Sequence, residues 1–321
     1  MIVFFGYGDD PPLVRAVRAA ADRGLDHLVV DQRATAGTDL VLAGDEDGGL
    51  RGAFVVDGRR VELERVTAVY ARPLSPVPAP GDPRRGERDA RLVDLTVEWL
   101  DTAPVRVVNR PVAMASNSSK PFQAQLIAEA GFAVPETLVS SDPDAVRAFA
   151  DAHGAVVFKS VSGVRSIVRR LDRGYLDRLD RVRNLPTQFQ ALVPGVDIRV
   201  HVVGERVFAT AVETAATDYR YAGRDGEEAV LTATALPPEV AERCVRLAAA
   251  LDLPLAGLDL RRTPDGVWVC FEVNPMPGYS FFESHTGQPI SESLVDHLAG
   301  AGEGGTRWSS PARTAPTSRA S

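Results

Sequence analysis

The chain has 321 residues, 45% of them hydrophobic and 25% charged, as in an ordinary globular protein large enough for two or three domains. Its formal net charge of −7 argues against sequence-independent binding to nucleic acid, which needs clustered lysine and arginine. The two cysteines, Cys244 and Cys270, make neither a zinc spacing nor a disulfide framework. The sequence shows no signal peptide and no membrane-spanning run, so we expect a cytoplasmic protein without a membrane partner.

The first thirty residues predict a β-α-β unit and therefore a parallel sheet. Residues 2–7 and 27–31 have the apolar pattern of strands, and Pro11 opens a helix between them. The turn after the first strand contains Gly6 and Gly8 but lacks the third glycine of a dinucleotide fingerprint. Asp9 and Asp10 would also repel a pyrophosphate, so this turn does not favour a dinucleotide cofactor.

The rest of the first hundred residues completes an α/β domain. An Asp57-Gly58 pair predicts a hairpin over residues 53–63, and strands are expected at 67–71 and 106–109. Residues 76–88 are rich in proline, glycine and charge and predict a loop, and residues 90–100 predict a helix. We place the first domain boundary near Asn109.

Two lysines follow in the middle of the chain. Lys120 lies in the first turn of a helix predicted over residues 118–130, where a cation opposes the helix dipole. Lys159 ends a strand predicted over residues 155–160 and precedes a Ser/Gly loop at residues 160–166. A cation beside backbone N–H groups and hydroxyls suits phosphate binding. The alternative is an exposed loop with an incidental lysine.

An alternating strand follows an apolar run. The run at residues 189–193 is broken by Pro194-Gly195. Asp197, Arg199 and His201 then alternate with apolar residues, which predicts a strand with one polar and one apolar face. Helices are expected at 236–251 and 290–298, and the tail from about residue 300 has the composition of a disordered segment.

The most informative stretch is residues 257–278. If Asp265-Gly266 is a two-residue turn between strands, Asp259 lies opposite Glu272, with Asn274 on the same face. Like charges that face each other destabilise a sheet, whereas two carboxylates and an amide oxygen can hold Mg²⁺. The alternative is a solvated polar strand face, but the neighbouring residues are hydrophobic.

The order of these features resembles the ATP-grasp superfamily, in its ribosomal-S6-glutamate-ligase and glutathione-synthetase-like branch. The resemblance covers residues 109–299 and implies an α+β ATP-grasp fold. It divides the chain into a pre-ATP-grasp α/β domain at 1–108, a central subdomain at 109–190, a C-terminal subdomain with the metal hairpin at 191–299, and a disordered tail at 300–321.

The resemblance also implies roles for individual residues. Lys120 and Lys159 would hold the phosphates of ATP, with Ser162 and Gly163 in a lid that includes Arg165. Adenine would bind the hinge, through the Gln190 side chain and the backbone of Ala191, Leu192 and Val193, and Asp197 would accept the ribose hydroxyls. Mg²⁺, expected as two ions with Mn²⁺ as an alternative, would bind Asp259, Glu272 and Asn274. Arg220 would stabilise the transferred phosphoryl group, with Arg199 beside the same pocket.

The implied reaction is ADP-forming ligation of a carboxylate to an amine through an acylphosphate. The first hypothesis has small carboxylate and amine substrates. The second has the same chemistry on a ribosomally made precursor peptide, with ester or amide cross-links between side chains, and requires a docking surface in the central region. A third, a nucleotide-binding module without catalysis, would need a missing lysine or metal ligand. Homo-oligomers are common in this branch, so the resemblance also implies a homo-oligomer as a partner state.

Overall fold

A computed structural model of the protein describes residues 1–33, 36–44, 46, 49–74, 83–160, 168–214 and 229–301. These residues form a mixed α/β structure in which four sheets are covered by helices. The expected disordered tail falls almost entirely outside the described residues. The predicted boundaries of the domain and subdomains remain predictions.

The amino-terminal region is built on a parallel sheet, as the β-α-β pattern predicts. Its strands are β1 (Ile2–Gly6), β2 (His27–Asp31), β6 (Ala68–Ala71) and β7 (Arg106–Val108), in the order β2-β1-β6-β7. Helix α1 (Pro11–Asp22) packs on one face and α2 (Pro83–Thr102) on the other. All five residues of β1 are buried because helices cover both faces of the sheet.

A small antiparallel sheet lies beside α2. It contains β3 (Thr38–Gly44), β4 (Leu50–Val56) and β5 (Arg59–Glu62). Asp57 and Gly58 form the tight turn between β4 and β5 with positive φ angles of 48° and 80°. Two residues with positive φ give a turn whose twist matches the flanking strands, so the predicted hairpin is confirmed.

The predicted loop at 76–88 is wrong in its second half, because α2 begins at Pro83. Proline is favourable in the first turn of a helix, where its missing N–H would have no partner. Glu87 and Arg91 then form an (i, i+4) ion pair at 2.8 Å on the exposed face. The high charge of this segment is therefore that of a solvated helix surface and not that of a loop.

The central region carries a second antiparallel sheet in the order β10-β9-β11-β8. Its strands are β8 (Thr137–Ser140), β9 (Val156–Ser160), β10 (Arg169–Arg170) and β11 (Thr187–Ala191). Helix α5 (Pro143–His153) starts at Asp142, whose carboxylate accepts a bond from the Asp144 N–H. This region also contains α3 (Pro111–Met114), α4 (Lys120–Glu129) and α6 (Arg173–Leu176).

The carboxyl-terminal region is a five-stranded antiparallel sheet in the order β14-β13-β12-β15-β16. The strands are β12 (Val196–Val203), β13 (Arg206–Glu213), β14 (Val230–Thr234), β15 (Leu255–Arg262) and β16 (Trp268–Asn274). Helix α7 (Pro238–Ala250) and α4 pack on the apolar face, against Ile198, Val200 and Val202. The predicted alternation along β12 is confirmed.

The last two helices join the amino- and carboxyl-terminal regions. They are α8 (Tyr279–Thr286) and α9 (Ile290–Ala299). Tyr279 and Leu294 share one buried cluster with Phe4 and Leu13 of the amino-terminal region. The Tyr279 hydroxyl donates a 2.5 Å bond to the Pro12 carbonyl. The stretch just after Asn274 is therefore fixed against the amino-terminal region.

The hairpin between β15 and β16 has the predicted opposing pair but a different turn. Asp259 lies opposite Glu272, and Gly257 lies opposite Asn274. The strands end at Arg262 and Trp268, so residues 263–267 form a wider connection closed by Thr263 and Val267, and the predicted two-residue turn is wrong. A bulge between Asp259 and Leu260 shifts the register by one residue and compensates for the longer turn.

Candidate active site

The polar face of the carboxyl-terminal sheet carries paired charges across adjacent strands. Asp259 stands between Arg199 on β12 and Glu272 on β16. The Arg199 Nη1 atom lies 2.5 Å from Asp259 Oδ1, and Lys120 Nζ lies 2.7 Å from Glu272 Oε1. The repulsion expected between the two carboxylates is therefore relieved by one cation on each.

Lys120 reaches this face from the first turn of α4. Its side chain is almost fully buried, and its ammonium also donates a 2.7 Å bond to Asn117 Oδ1. Lys120 and Lys159 are the only lysines among the 36 basic residues of the sequence. Lys159 lies on β9 directly opposite Gln188 of β11. A chain that otherwise uses arginine for its basic residues thus has lysine only at these two positions.

Asn274 ends β16 on the same face as Glu272. Its Oδ1 atom accepts a 2.8 Å bond from the Met276 N–H, which orders the turn after the strand. Among the described residues, no group of three or more His, Cys, Asp and Glu side chains is placed to hold a metal ion. The predicted trio contains two carboxylates and one amide, and its hard oxygen donors are the type that Mg²⁺ prefers. The residues present therefore fit a magnesium site.

Arg199 occupies space that a glycine leaves open. A Cβ atom at Gly257 would lie 2.1 Å from Arg199 Nη2 and 2.7 Å from the Pro277 Cβ. Behind the guanidinium, His201 is fully buried, and Arg199 Nε donates a 3.4 Å bond to its Nε2 atom. Burial and the neighbouring guanidinium hold the pKa of His201 well below its usual value, so the imidazole is neutral and can accept this bond.

Asp197 is bound by a residue that the sequence interpretation missed. Arg261, opposite it on β15, donates to both carboxylate oxygens at 2.8 Å. Arg261 Nη1 also donates a 2.7 Å bond to the Val193 carbonyl. An acid and an arginine directly opposite on neighbouring strands could have indicated this pair, but the β12–β15 register was not predicted.

The predicted hinge joins the central sheet to β12. Gln190 is buried, and its amide donates a 3.0 Å bond to the Thr137 hydroxyl. The backbone N–H groups of Ala191 and Leu192 donate to Glu136 and Ala155 carbonyls, at 3.0 and 2.8 Å. The N–H groups of Ala191 and Leu192 are therefore already used within the protein. If this run binds adenine as predicted, it does so through its other backbone groups and through Gln190.

Gln123 is a second residue that the sequence interpretation missed. It is almost fully buried on α4, one turn after Lys120. Its amide donates to the Val273 carbonyl at 2.8 Å and accepts from the Val273 N–H at 3.0 Å. Val273 lies between Glu272 and Asn274, so Gln123 fixes the backbone that carries both.

The loop after Asn274 leads to a groove between α1 and α8 with a volume of about 620 Å³. Exposed Val14 and Phe281 provide apolar surface, and Arg15 and Arg18 provide positive charge. Arg72 fixes the segment just before α8. Its Nη1 donates a 3.2 Å bond to the Pro277 carbonyl, and its Nε donates a 2.5 Å bond to the Asp10 carboxylate.

Comparison with protein families matches residues 117–298 to the RimK-like ATP-grasp domain. A probable alpha-L-glutamate ligase of Xanthomonas oryzae pv. oryzae (strain MAFF 311018) is 30% identical over 234 residues, which are 67% of this chain and 76% of that protein. The chain belongs to the RimK-like ATP-grasp family. The expected fold and the resemblance drawn from the sequence are both confirmed.

Two solved structures resemble this RimK-like protein over almost its whole length. The ATP-grasp ligase PsnB, complexed with a phosphomimetic variant of a minimal precursor, Mg and ADP, is 28% identical with a TM-score of 0.77. The similarity covers 94% of this chain and 98% of that one. The macrocyclase MdnC of Microcystis aeruginosa MRC shares the fold, with a TM-score of 0.79 at 20% identity, over 94% of this chain and all of that one.

As a RimK-like ATP-grasp ligase, the protein is an enzyme that uses ATP and forms amide bonds. Ser162, Gly163, Arg165 and Arg220 of the predicted site lie outside the described residues, and their roles remain predictions. The roles assigned to the described residues of the predicted site also remain predictions. No helix of the described part of the chain is long and apolar enough to cross a membrane.

Proposed function

We propose that this RimK-like ligase acts on a ribosomally made precursor peptide and joins side-chain carboxylates to side-chain amines or hydroxyls within it. PsnB, which was solved with a precursor, is 28% identical to this chain, and the likeness extends over 94% of it. A peptide substrate needs a docking surface away from the reacting atoms. The observation that carries the proposal is a cavity in the central region that meets this need.

The cavity has a volume of about 240 Å³ and lies on one face of the central sheet. Its apolar lining includes Phe158 and Phe189 of the sheet and Tyr175 and Leu179 from the segment that follows β10. Phe158 and Tyr175 meet edge to face with ring centroids 4.8 Å apart. Because neighbouring residues of a strand point to opposite faces, Phe158 faces the cavity while Lys159 faces the other side. Docking and phosphate binding therefore use different faces of one sheet.

The charge around this cavity indicates what kind of segment it would bind. Residues 168–184 contain six arginines and three aspartates, in a chain with a net charge of −7. Arg178 and Arg181 line the cavity itself. We therefore expect the docking segment to combine apolar anchor residues with acidic residues, since these complement the rings and the guanidinium groups.

The proposed mechanism begins with neutralisation of the phosphates. Lys120 and Lys159 would bind the phosphate oxygens of ATP, with Lys120 exchanging its partner Glu272 for phosphate. Arg199, held by Asp259 and His201, would add positive charge beside the same pocket. Mg²⁺, held by Asp259, Glu272 and Asn274, would act as a Lewis acid on the phosphate oxygens.

The chemistry itself needs no protein nucleophile. A substrate carboxylate attacks the γ-phosphorus, the bond to the β-phosphate oxygen breaks, and ADP leaves. An amine or hydroxyl then attacks the acyl carbon, loses its proton, and expels phosphate. The groove beside α8 would hold the reacting segment, because it adjoins the loop that follows Asn274, and Arg15 and Arg18 suit its carboxylates.

The test is incubation of the enzyme with ATP, Mg²⁺ and the small peptides encoded beside its gene, with mass spectrometry of the peptide and assay of ADP. The proposal predicts a peptide lighter by one water for each ADP released. A Phe158→Glu variant should lose peptide modification while it still binds ATP, because it fills the docking cavity with charge. Val112→Glu, at an exposed position outside the cavity, is the matched control.

A second candidate function, the addition of free amino acids to an acceptor, is favoured by the family's glutamate-ligase members. The same assay with glutamate and a pool of small amines separates the two. Growth of a small acceptor by one glutamyl residue, with every peptide unmodified, would replace the precursor proposal with this one.

A further inference from the structure

His201 is a fully buried polar residue in the middle of β12. It lies opposite Phe208 on β13 and Gly257 on β15, and the centroid of the Phe282 ring of α8 lies 5.0 Å from that of the imidazole. A side chain with such neighbours is usually apolar, because a buried polar group costs free energy unless it is hydrogen-bonded. A histidine at this position therefore needs a physical explanation.

The imidazole uses only one of its two ring nitrogens in a hydrogen bond. Its Nε2 atom accepts the 3.4 Å bond from Arg199 Nε, so the proton of the neutral ring must be on Nδ1. Nδ1 is buried and has no hydrogen-bond partner among the described residues. An unsatisfied donor inside the protein lowers stability, and a leucine would bring no such donor. Stability alone therefore does not explain the histidine.

The acceptor nitrogen faces a guanidinium that is held on several sides. Arg199 Cζ lies 5.8 Å from the centroid of the Phe282 ring, and Nη1 binds Asp259 at 2.5 Å. Because the guanidinium is planar, the direction of its Nε–H bond also sets the directions of Nη1 and Nη2. The bond to His201 thus fixes the plane of the whole group. A neutral acceptor does this without cancelling the positive charge, as a carboxylate would.

We infer that His201 is a positioning residue for Arg199, which the proposed mechanism places beside the phosphate pocket. By accepting from Nε, His201 holds the guanidinium in one orientation for phosphoryl transfer. The inference rests on the proposed function, which gives Arg199 its role. It assigns a role to a residue for which the family resemblance gave none, and it explains why a histidine is kept here at a cost in stability.

The arrangement can be tested without any substrate, by NMR of protein labelled with ¹⁵N in its histidine rings. The chain has five histidines, and the signals that are absent from His201→Gln identify those of His201. The inference predicts a neutral ring at about pH 7 with its proton on Nδ1. A proton on Nε2 would overturn the inference, because Arg199 could not donate to that nitrogen.

The effect on catalysis is measured by ADP release in the precursor-peptide assay. His201→Leu should lower kcat by about fivefold, the effect of one hydrogen bond, and leave KM for ATP unchanged. His201→Gln should recover most of this loss, because its amide oxygen can accept from Arg199 Nε. In an Arg199→Met background, His201→Leu should cause no further loss of kcat, because His201 acts only through Arg199.

Thr96→Val is the matched control, because Thr96 is also fully buried and its hydroxyl binds the Leu92 carbonyl on α2. It should lower thermal stability and keep the wild-type kcat. A wild-type kcat in His201→Leu, or an equal loss in the presence and absence of Arg199, would overturn the inference alone. No ADP release by the wild-type protein, with the peptides or with glutamate and small amines, would overturn the proposed function and this inference with it.

Discussion

We predict different roles for lysine and arginine in this chain, and the difference can be tested at single residues. Two of the 36 basic residues are lysine, and one of them, Lys120, is buried between Asn117 and Glu272. An ammonium is a compact charge with three donors, whereas a guanidinium is larger and planar. We therefore expect Lys120→Arg to lower ATP affinity by at least about tenfold, nearly as much as Lys120→Met.

Chemical labelling tests Lys159, which is only partly buried, whereas Lys120 is shielded from a reagent by its burial. A lysine-directed acetylating reagent can react in this sequence with Lys120, Lys159 and the amino terminus. Saturating ATP should protect Lys159, and peptide mass spectrometry would detect this directly. Equal labelling of Lys159 with and without ATP would contradict its contact with the nucleotide.

His201 predicts how stability depends on pH. Burial and then Arg199 lower its pKa well below the ordinary 6.5, so the folded imidazole stays neutral where the unfolded one is protonated. The unfolded state therefore binds more protons below about pH 6.5, and the free energy of unfolding falls as the pH drops through that value. Above about pH 6.5 the imidazole is neutral in both states, so His201 no longer lowers the free energy of unfolding.

Urea unfolding at about pH 7.5 and about pH 5.5 measures this effect. His201→Phe should show a smaller loss of stability at the lower pH than the wild-type protein does. His285→Phe, at an exposed position, should keep the wild-type difference. If His201→Phe lost as much stability between the two pH values as the wild-type protein does, the pH dependence would come from other groups.

At the scale of single residues, the sequence predicted charges but not their tertiary partners. Asp259 and Glu272 could be placed opposite each other because both lie on one hairpin, where the pairing follows from local pattern. Arg261 and Gln123 were missed because their partners are 64 and 150 residues away in the chain. Contacts of this range depend on how strands from separate hairpins and helices assemble.

At the scale of the elements, β16 shows how α4 supports the predicted metal site. β16 is an edge strand, and its outward backbone groups are satisfied by Ala133 near one end and by Gln123 at Val273. Gln123→Leu would leave the Val273 N–H and carbonyl without partners, at a cost of about 1–3 kcal/mol each. We expect the free energy of unfolding to fall by about 2–6 kcal/mol.

The same variant should need more Mg²⁺ for ATP turnover, because Val273 lies between Glu272 and Asn274. A Mg²⁺ titration of ADP release measures this effect separately from stability. Gln125→Leu is the control on the same helix, since Gln125 is exposed. If Gln123→Leu only lowered stability and kept the wild-type Mg²⁺ requirement, Gln123 would not position the metal strand.

Element boundaries were predictable where local chemistry decides them. The Asp57-Gly58 turn and the alternating faces of β12 follow from residue type and spacing alone. The start of α2 is not predictable from proline and charge, because both are typical of loops and also suit an exposed helix start. The wide turn and the bulge in the metal hairpin were missed because two irregularities cancel and leave the pairing of Asp259 with Glu272 unchanged.

At the scale of the whole molecule, the amino-terminal region supports the loop that leads from Asn274 to α8. Arg72 binds Asp10 and the Pro277 carbonyl, and both of the charged side chains are largely buried. Arg72→Met would leave Asp10 without its cation, at a cost of about 3 kcal/mol. It should also reduce substrate turnover more than ATP binding, because Pro277 lies beside the groove and not at the hinge.

Urea unfolding and steady-state kinetics would measure both consequences of Arg72→Met. The exposed pair of Arg60 and Glu62 provides a control, because Arg60→Met should change stability very little. Equal losses of ATP affinity and turnover in Arg72→Met would mean that the amino-terminal region supports the whole site rather than its substrate side.

The central claim is that this site activates a carboxylate by phosphorylating it. The most direct measurement uses a substrate whose carboxylate oxygens are labelled with ¹⁸O, with mass analysis of the phosphate released during ADP formation. An acylphosphate transfers one carboxylate oxygen to phosphate, so one labelled oxygen should appear in phosphate for each bond formed. Unlabelled phosphate, or release of AMP and pyrophosphate, would contradict the account.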